Sequence, residues 1–190
     1  MSQLTIFNEN QAPAASRPLL ARAKTTYGFI PNVLGELAAS PTALESYMTM
    51  SQTFAKGGLT VIEQQVVLLT TSFANNCEYC VAVHSTLALE AGLERDVIMA
   101  IRDGEPIRSD ARLESLRQFT LSIVRERGLV ERSDVDAFLK AGFTKANVLD
   151  VIHGVTVKTM TNYLNHIAET PLDEAFQAMA WSKPILSHAH

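Results

Sequence analysis

Thr60-Val61-Ile62-Glu63-Gln64-Gln65-Val66-Val67-Leu68-Leu69 is followed a few residues later by Asn75-Asn76-Cys77-Glu78-Tyr79-Cys80-Val81-Ala82-Val83-His84. The first stretch opens with a capping box: the Thr60 hydroxyl can accept the amide of Glu63, whose carboxylate reaches back to Thr60. The helix it starts, through Val66, Val67, Leu68, Leu69 and Phe73, is apolar on most sides. Such a helix belongs in a core or an oligomer interface. Asn75-Asn76 breaks it, and Asn76 stands as N-cap of a second helix that runs to Ala91, before Gly92. Two consecutive helices with one short break between them set the class, because no segment elsewhere alternates as a strand does.

Helix punctuation recurs on both sides. Upstream, Ser16 is placed to cap a helix carrying Leu19, Leu20 and Ala23 that stops near Gly28, and Asn32 to cap a short segment to Ala39. Ser40-Pro41 is a cap followed by proline at the first helical position, opening a helix with Leu44, Tyr47, Met48 and Phe54. Downstream, Val97, Ile98 and Ile101 mark a short amphipathic helix ending near Gly104. Ser109 is placed to cap a longer one through Leu113, Leu116, Phe119 and Ile123. Ser133 starts a short helix that ends before Gly142. Thr144 caps a last long helix from Lys145 to about Glu169, and Asp173 to Trp181 forms a final short one. The expectation is all-α: a single helical domain over residues 16–181, a loose segment over 1–15 and a flexible tail over 182–190. Gly58-Leu59-Thr60 and Gly142-Phe143-Thr144 open two similar helices, a weak echo that suggests a duplicated helical hairpin.

The 190-residue length suits one domain with a substantial core, and 47% hydrophobic residues with a formal charge of −4 describe a folded chain. No basic stripe points to nucleic acid, and the apolar runs are too short for a membrane span. Two cysteines in one CxxC, with no export signal, point to a reducing compartment, the cytoplasm, over a disulfide framework.

On a helix, Cys77, Cys80 and His84 share one face through spacings of three and four. A thiol attacks as its thiolate, so it needs help to lose its proton. The helix N-terminus offers that help mainly to Cys77, and His84, one turn beyond, offers it to Cys80. A positioned base also accepts the proton, so Cys80 reads as the attacking thiol, Cys77 as the resolving one and His84 as the relay. Thiol exchange with an external reductant would follow. The same three groups could instead supply ligands for zinc, but a structural site needs a fourth that the spacing does not provide. Haem attachment is excluded, because Val81 follows Cys80. His153, His166, Asn162 and Asn165 lie on one helix, where a structural or interface role is expected, and His188 and His190 read as solvated.

The Leu59-Thr60 start, its apolar helix and the Cys77–His84 run resemble the alkylhydroperoxidase D / carboxymuconolactone decarboxylase family. Tyr27-Gly28-Phe29-Ile30-Pro31-Asn32 and Thr161-Asn162-Tyr163-Leu164-Asn165-His166 resemble its peroxidase-related branch, so that the resemblance spans roughly residues 16 to 175. It implies an all-α bundle, homo-oligomers (trimers or hexamers) and reduction of hydroperoxides by the CxxC pair, with no cofactor beyond a redox-active Cys77–Cys80 disulfide and with a thiol or dithiol as electron donor. It also implies the same roles for Cys80, Cys77 and His84. Where such proteins carry a relay glutamate, twelve residues before the first cysteine, this chain has Gln65, and between the cysteines it has Tyr79 in place of histidine. An amide cannot pass a proton as a carboxylate does, so weak turnover is expected, with Gln65 and Tyr79 as relay or pocket residues. Three other readings stay open: a thiol–disulfide oxidoreductase without efficient peroxidase activity, a lactone decarboxylase, and a non-enzymatic metal-binding or oligomeric scaffold.

Overall fold

The structure, a computed structural model, describes residues 4–183. Among these, nine α-helices follow one another with no strand: α1 Arg17–Tyr27, α2 Asn32–Leu37, α3 Pro41–Phe54, α4 Val61–Ala74, α5 Glu78–Glu90, α6 Arg95–Asp103, α7 Ala111–Arg125, α8 Arg132–Lys140 and α9 Lys145–Ala168. A 3-10 helix, Glu174–Met179, closes the described chain. The all-α expectation is met. The expected tail lies outside the described residues from position 184 on, as do His188 and His190. Residues 4–15 form no helix, yet Phe7 donates its amide to the Gly35 carbonyl at 3.1 Å and Ala12 is buried.

The apolar helix α4 is the axis of the bundle, with α5, α6, α7 and α9 packed around it. Its Val66, Val67 and Leu69 are fully buried, together with Val81, Ile98, Leu116 and Val151 from the surrounding helices. Burying such a side chain stabilises the fold by about 1.5–3 kcal/mol, which is why a helix apolar on most sides ends at the centre. A smaller core joins Leu20, Val33, Leu34, Leu37 and Leu44 from α1, α2 and α3, and both cysteines belong to this one. The site therefore sits where the N-terminal helices close over the bundle.

Both expected capping devices form. Thr60 accepts from the Glu63 amide at 3.2 Å while the Glu63 carboxylate takes the Thr60 N–H at 2.8 Å. Thr144 and Asn147 repeat the arrangement at the start of α9 at 3.2 and 2.9 Å. The two helix starts also meet: Asp150 of α9 accepts from the Gly58 amide at 3.1 Å. Where α9 crosses α4, a Cβ on Gly154 would lie 2.7 Å from Val67 Cγ1 and 2.9 Å from the Phe54 ring, so the close approach requires glycine there.

Other starts differ from the sequence expectation. Ser16 caps nothing; its hydroxyl donates to the Ala38 carbonyl at 2.8 Å, tying α1 to the end of α2. Asn32 is the first residue of its helix and not the cap, because Pro31 precedes it in extended conformation and the Asn32 amide side chain is spent on the Pro171 carbonyl at 2.9 Å. Asp110 displaces Ser109 as cap of α7, accepting from Arg112 and Leu113 at 2.8 and 2.9 Å, since a carboxylate one residue later reaches two amides. Helix α8 starts at Arg132, one residue ahead of Ser133, without a side-chain cap.

Candidate active site

The chain enters α5 through Asn76, which adopts the left-handed conformation (φ 57°), and Cys77 takes the N-cap position in its place. Asn tolerates this conformation better than other residues, so it serves the turn and leaves capping to the next side chain. Cys77 Sγ accepts from the Cys80 amide at 3.4 Å. The two thiols are therefore brought together by the capping geometry itself, Cys77 as the cap and Cys80 in the first turn. Both are free and buried.

The wall opposite comes from α9. Lys158, Thr161, Asn162 and Asn165 recur at spacings of three and four and are all buried, a polar stripe where a core-facing helix would carry aliphatic residues. Asn165 Nδ2 donates to Cys80 Sγ at 3.1 Å and to Cys77 Sγ at 3.4 Å. Its orientation is set from behind, where Thr170 Oγ1 lies 2.7 Å from Asn165 Oδ1 and 2.6 Å from the Glu36 carboxylate. Thr161 Oγ1 is 3.9 Å from Cys80 Sγ. Asn162 accepts from Asn75 Nδ2 at 3.0 Å, and its own buried Nδ2 faces Cys80, near enough to act on the thiol's charge though short of full hydrogen-bond geometry. The stripe sets Asn165 against both thiols and Asn162 against Asn75, where a structural or interface role was expected for the pair. Lys158 and Thr161 were not read as site residues at all, although four polar side chains on one turn-to-turn line of a long helix are a visible signal.

Lys158 is 3% exposed and forms no ion pair with a carboxylate among the described residues. A buried ammonium needs a compensating anion. The group facing it is Cys80. Burial alone works against a thiolate, but the Cys77 S–H bond, the Lys158 charge and the Asn162 amide outweigh it and pull the Cys80 thiol below the ordinary range. Cys77 moves the other way, because it donates its proton to Cys80 and is itself buried. Burial also opposes the Lys158 charge, yet Cys80 and then Tyr47 hold its pKa up. The arrangement is a thiolate–ammonium pair with a protonated thiol beside it.

His84 faces the same cavity. Burial first, and the nearby Lys158 charge second, hold its pKa well below the usual value, so the ring is neutral. Its Nδ1 lies 3.0 Å from Gln65 Oε1. With the Gln65 carbonyl accepting from Nδ1–H, Nε2 carries the lone pair. No hydrogen bond joins His84 to Cys80 among the described residues. Gln65 is thus brought to His84, while Glu63 stays in its capping box and pairs with Arg112 at 3.0 Å. Tyr79 lines the cavity by its ring. Its hydroxyl donates to Asp173 at 2.6 Å, and burial, followed by that carboxylate, raises its pKa. Among the described residues no three His, Cys, Asp or Glu side chains are grouped to hold a metal ion.

Cys80, His84 and Lys158 open onto a cavity of about 50 Å³ whose walls include Val33, Leu34, Tyr47, Leu87 and Phe176. That volume holds a few water molecules or one small polar group. Cys77 does not line it. It borders a separate groove with Glu78, Asn165, His166 and Glu169.

Residues 41–121 match the model of the carboxymuconolactone decarboxylase family. The fold matches the alkylhydroperoxidase AhpD core of an uncharacterized peroxidase-related protein from Ralstonia eutropha JMP134, with a TM-score of 0.84 and 22% identity over 94% of this chain and 95% of that one. The chain has the alkylhydroperoxidase D-like fold. An uncharacterized peroxidase-related protein from Silicibacter sp. TM1040 superimposes with a TM-score of 0.78 at 17% identity, covering 92% of each chain. The debrominase Bmp8 does so with a TM-score of 0.78 at 14% identity over 94% of this chain and 96% of its own. At these identities the likeness is one of fold. No curated protein matches the sequence. The alkylhydroperoxidase D-like resemblance read from the CxxC stretch is therefore upheld by the matched segment and by the fold.

Proposed function

We propose that this chain is an enzyme that reduces hydroperoxides with its two thiols. The Cys80 thiolate attacks the terminal peroxide oxygen; an S–O bond forms, the O–O bond breaks and an alcohol leaves. Cys77 then attacks the sulfenic acid, expelling water and closing the Cys77–Cys80 disulfide, which an external thiol or dithiol reduces by exchange. The observation that carries this reading is the Asn165 amide bonded to both sulfurs, with Lys158 facing Cys80. A thiol held as its anion beside a protonated partner is what the two steps need. The small cavity beside Cys80 suits the –OOH group of the substrate. The reading calls for a reducing compartment such as the cytoplasm. Among the described residues no helix is long and apolar enough to cross a membrane.

The test is consumption of cumene hydroperoxide by the reduced protein with loss of two titratable thiols per chain. Cys80→Ser is expected to abolish it, and a Cys80→Ser protein as fast as the parent would refute the assignment. Two further substrates separate the competing chemistries. The solved complex of a cysteine-to-alanine variant of Bmp8 contains 2,3,4-tribromopyrrole. Turnover of that compound without peroxide consumption would assign the pair to dehalogenation. Turnover of a carboxylated lactone surviving removal of both thiols would assign the chain to decarboxylation.

A further inference from the structure

Resting on the peroxide reading, we infer that Lys158 is the acid of the reaction: its Nζ gives a proton to the departing alkoxide and then stays neutral opposite the disulfide.

Cleaving the O–O bond leaves an alkoxide that must be protonated where it forms. The groups lining the cavity around Cys80 leave few donors. His84 cannot serve: the ring is neutral and its single N–H points to Gln65. The Tyr79 hydroxyl is committed to Asp173. Cys77 lies outside the cavity, and its proton is needed for the second step. The groups that face Lys158 are Cys80, Cys77 and His84 from α5, Tyr47 from α3 and Tyr27 from α1. Neither of those tyrosines loses a compensating charge when Cys80 reacts. Lys158 does. Its ammonium is buried and compensated by the Cys80 thiolate, and the attack removes that negative charge. An uncompensated buried ammonium is strained toward neutrality, so its proton becomes available at the moment the alkoxide appears.

The protons then balance within the chain. Cys80–S⁻, Lys158–NH₃⁺ and ROOH give Cys80–SOH, Lys158–NH₂ and ROH. Cys77–SH and Cys80–SOH give the disulfide and water. Reduction by a dithiol returns two thiol protons, and Cys80 passes its own back to Lys158. Neither oxidative step takes a proton from solvent, and no carboxylate is required at position 65.

Lys158→Arg tests this, because arginine keeps the cation and cannot release its proton. Alkylation of Cys80 by iodoacetamide needs only the thiolate, and at neutral pH should stay within about threefold of the parent. Single-turnover oxidation by cumene hydroperoxide should slow on the order of 100-fold or more. Lys158→Met should lose both rates. Oxidation of Lys158→Arg at the parent's rate would overturn the inference, whereas a parent that alkylates rapidly and ignores the hydroperoxide overturns the peroxide reading and this inference with it. Should the variants fail to fold by circular dichroism, proton uptake is measured on the parent with an indicator dye in weak buffer. No uptake in the phase of thiol oxidation is expected; one proton per Cys80 oxidised, at the same rate, overturns the inference.

Discussion

At the scale of single residues, the depressed pKa of Cys80 rests on Cys77 and on contacts from a helix that lies far along the chain. Its folded pKa is lowered against the cost of burial, so the thiolate persists as pH falls below the ordinary thiol value and is lost only on passing the depressed one. The alkylation rate should thus be nearly flat from about pH 8 to about pH 6.5, where an ordinary thiol falls roughly tenfold per unit. Asn165 is a direct handle on this, since Nδ2 donates to both sulfurs. Asn165→Asp would face the thiolate with a second anion and raise the Cys80 pKa by roughly one unit, so the fall of the alkylation rate should begin about one pH unit higher than in the parent. An unchanged pH profile in that variant would remove Asn165 from the site. The pairing of the thiols could be read from spacing alone, because cysteines three apart meet when the first caps a helix and the second lies in its first turn. Lys158 and Asn165 could not, because their sulfur contacts span dozens of residues and depend on how α9 is set against α5.

At the scale of elements, helix starts with reciprocal bonding were readable, as was the Ser40 cap ahead of Pro41, which accepts the Ala43 amide at 3.4 Å, but the other single-residue caps were not. Thr60 with Glu63 specifies two bonds and forms as expected; Ser16 gives its hydroxyl to the distant Ala38 carbonyl, and Ser109 yields the cap to Asp110 beside it. Asn76 was misplaced by one residue because its tolerance of the left-handed conformation made it more useful in the turn than at the cap. Helix α7 carries a feature that composition hides. Glu114 accepts from the Ile107 amide at 2.7 Å, from Arg117 at 2.8 and 2.9 Å and from Gln118 at 2.7 Å, and the Arg117 side chain is only 3% exposed. Burial pushes the Glu114 pKa up, but these donors more than offset it and the net shift is downward. A carboxylate lowered on folding contributes stability above its unfolded pKa and loses it as pH falls through the folded one. Glu114→Gln should therefore destabilise by about 2 kcal/mol at neutral pH, because it leaves the Arg117 cation buried without its anion. The deficit should shrink as the parent is titrated toward pH 3, where its own carboxylate is protonated. Denaturant melts of both proteins across that range measure it, and a deficit independent of pH would mean the loss is one of packing.

At the scale of the whole molecule, α9 has two faces with different work. The inner face carries the stripe from Lys158 to Asn165. The outer face exposes Leu149, Ile152, Tyr163 and Ile167, at 67%, 45%, 57% and 61%, along most of a 24-residue helix. A line of exposed apolar side chains of that length marks an interaction surface more than ordinary scatter. The homo-oligomer implied by the family resemblance supplies an occupant: an uncharged ridge along a helix can meet its own copy across a two-fold axis. We accordingly propose self-association through α9, and the side-chain contacts described around the thiols, all made within one chain, fix what should follow when it is broken. Ile152→Lys with Ile167→Lys would put like charges face to face on that surface and shift the protein from an oligomer to the 20.8 kDa monomer in sedimentation velocity. The Cys80 alkylation profile should be retained in that monomer, because Lys158, Asn162 and Asn165 reach the thiols from the same chain. A parent that already sediments as a monomer would reject the interface. A monomeric variant whose Cys80 loses its thiolate would instead show that the packing of α9 against α5 depends on the second copy.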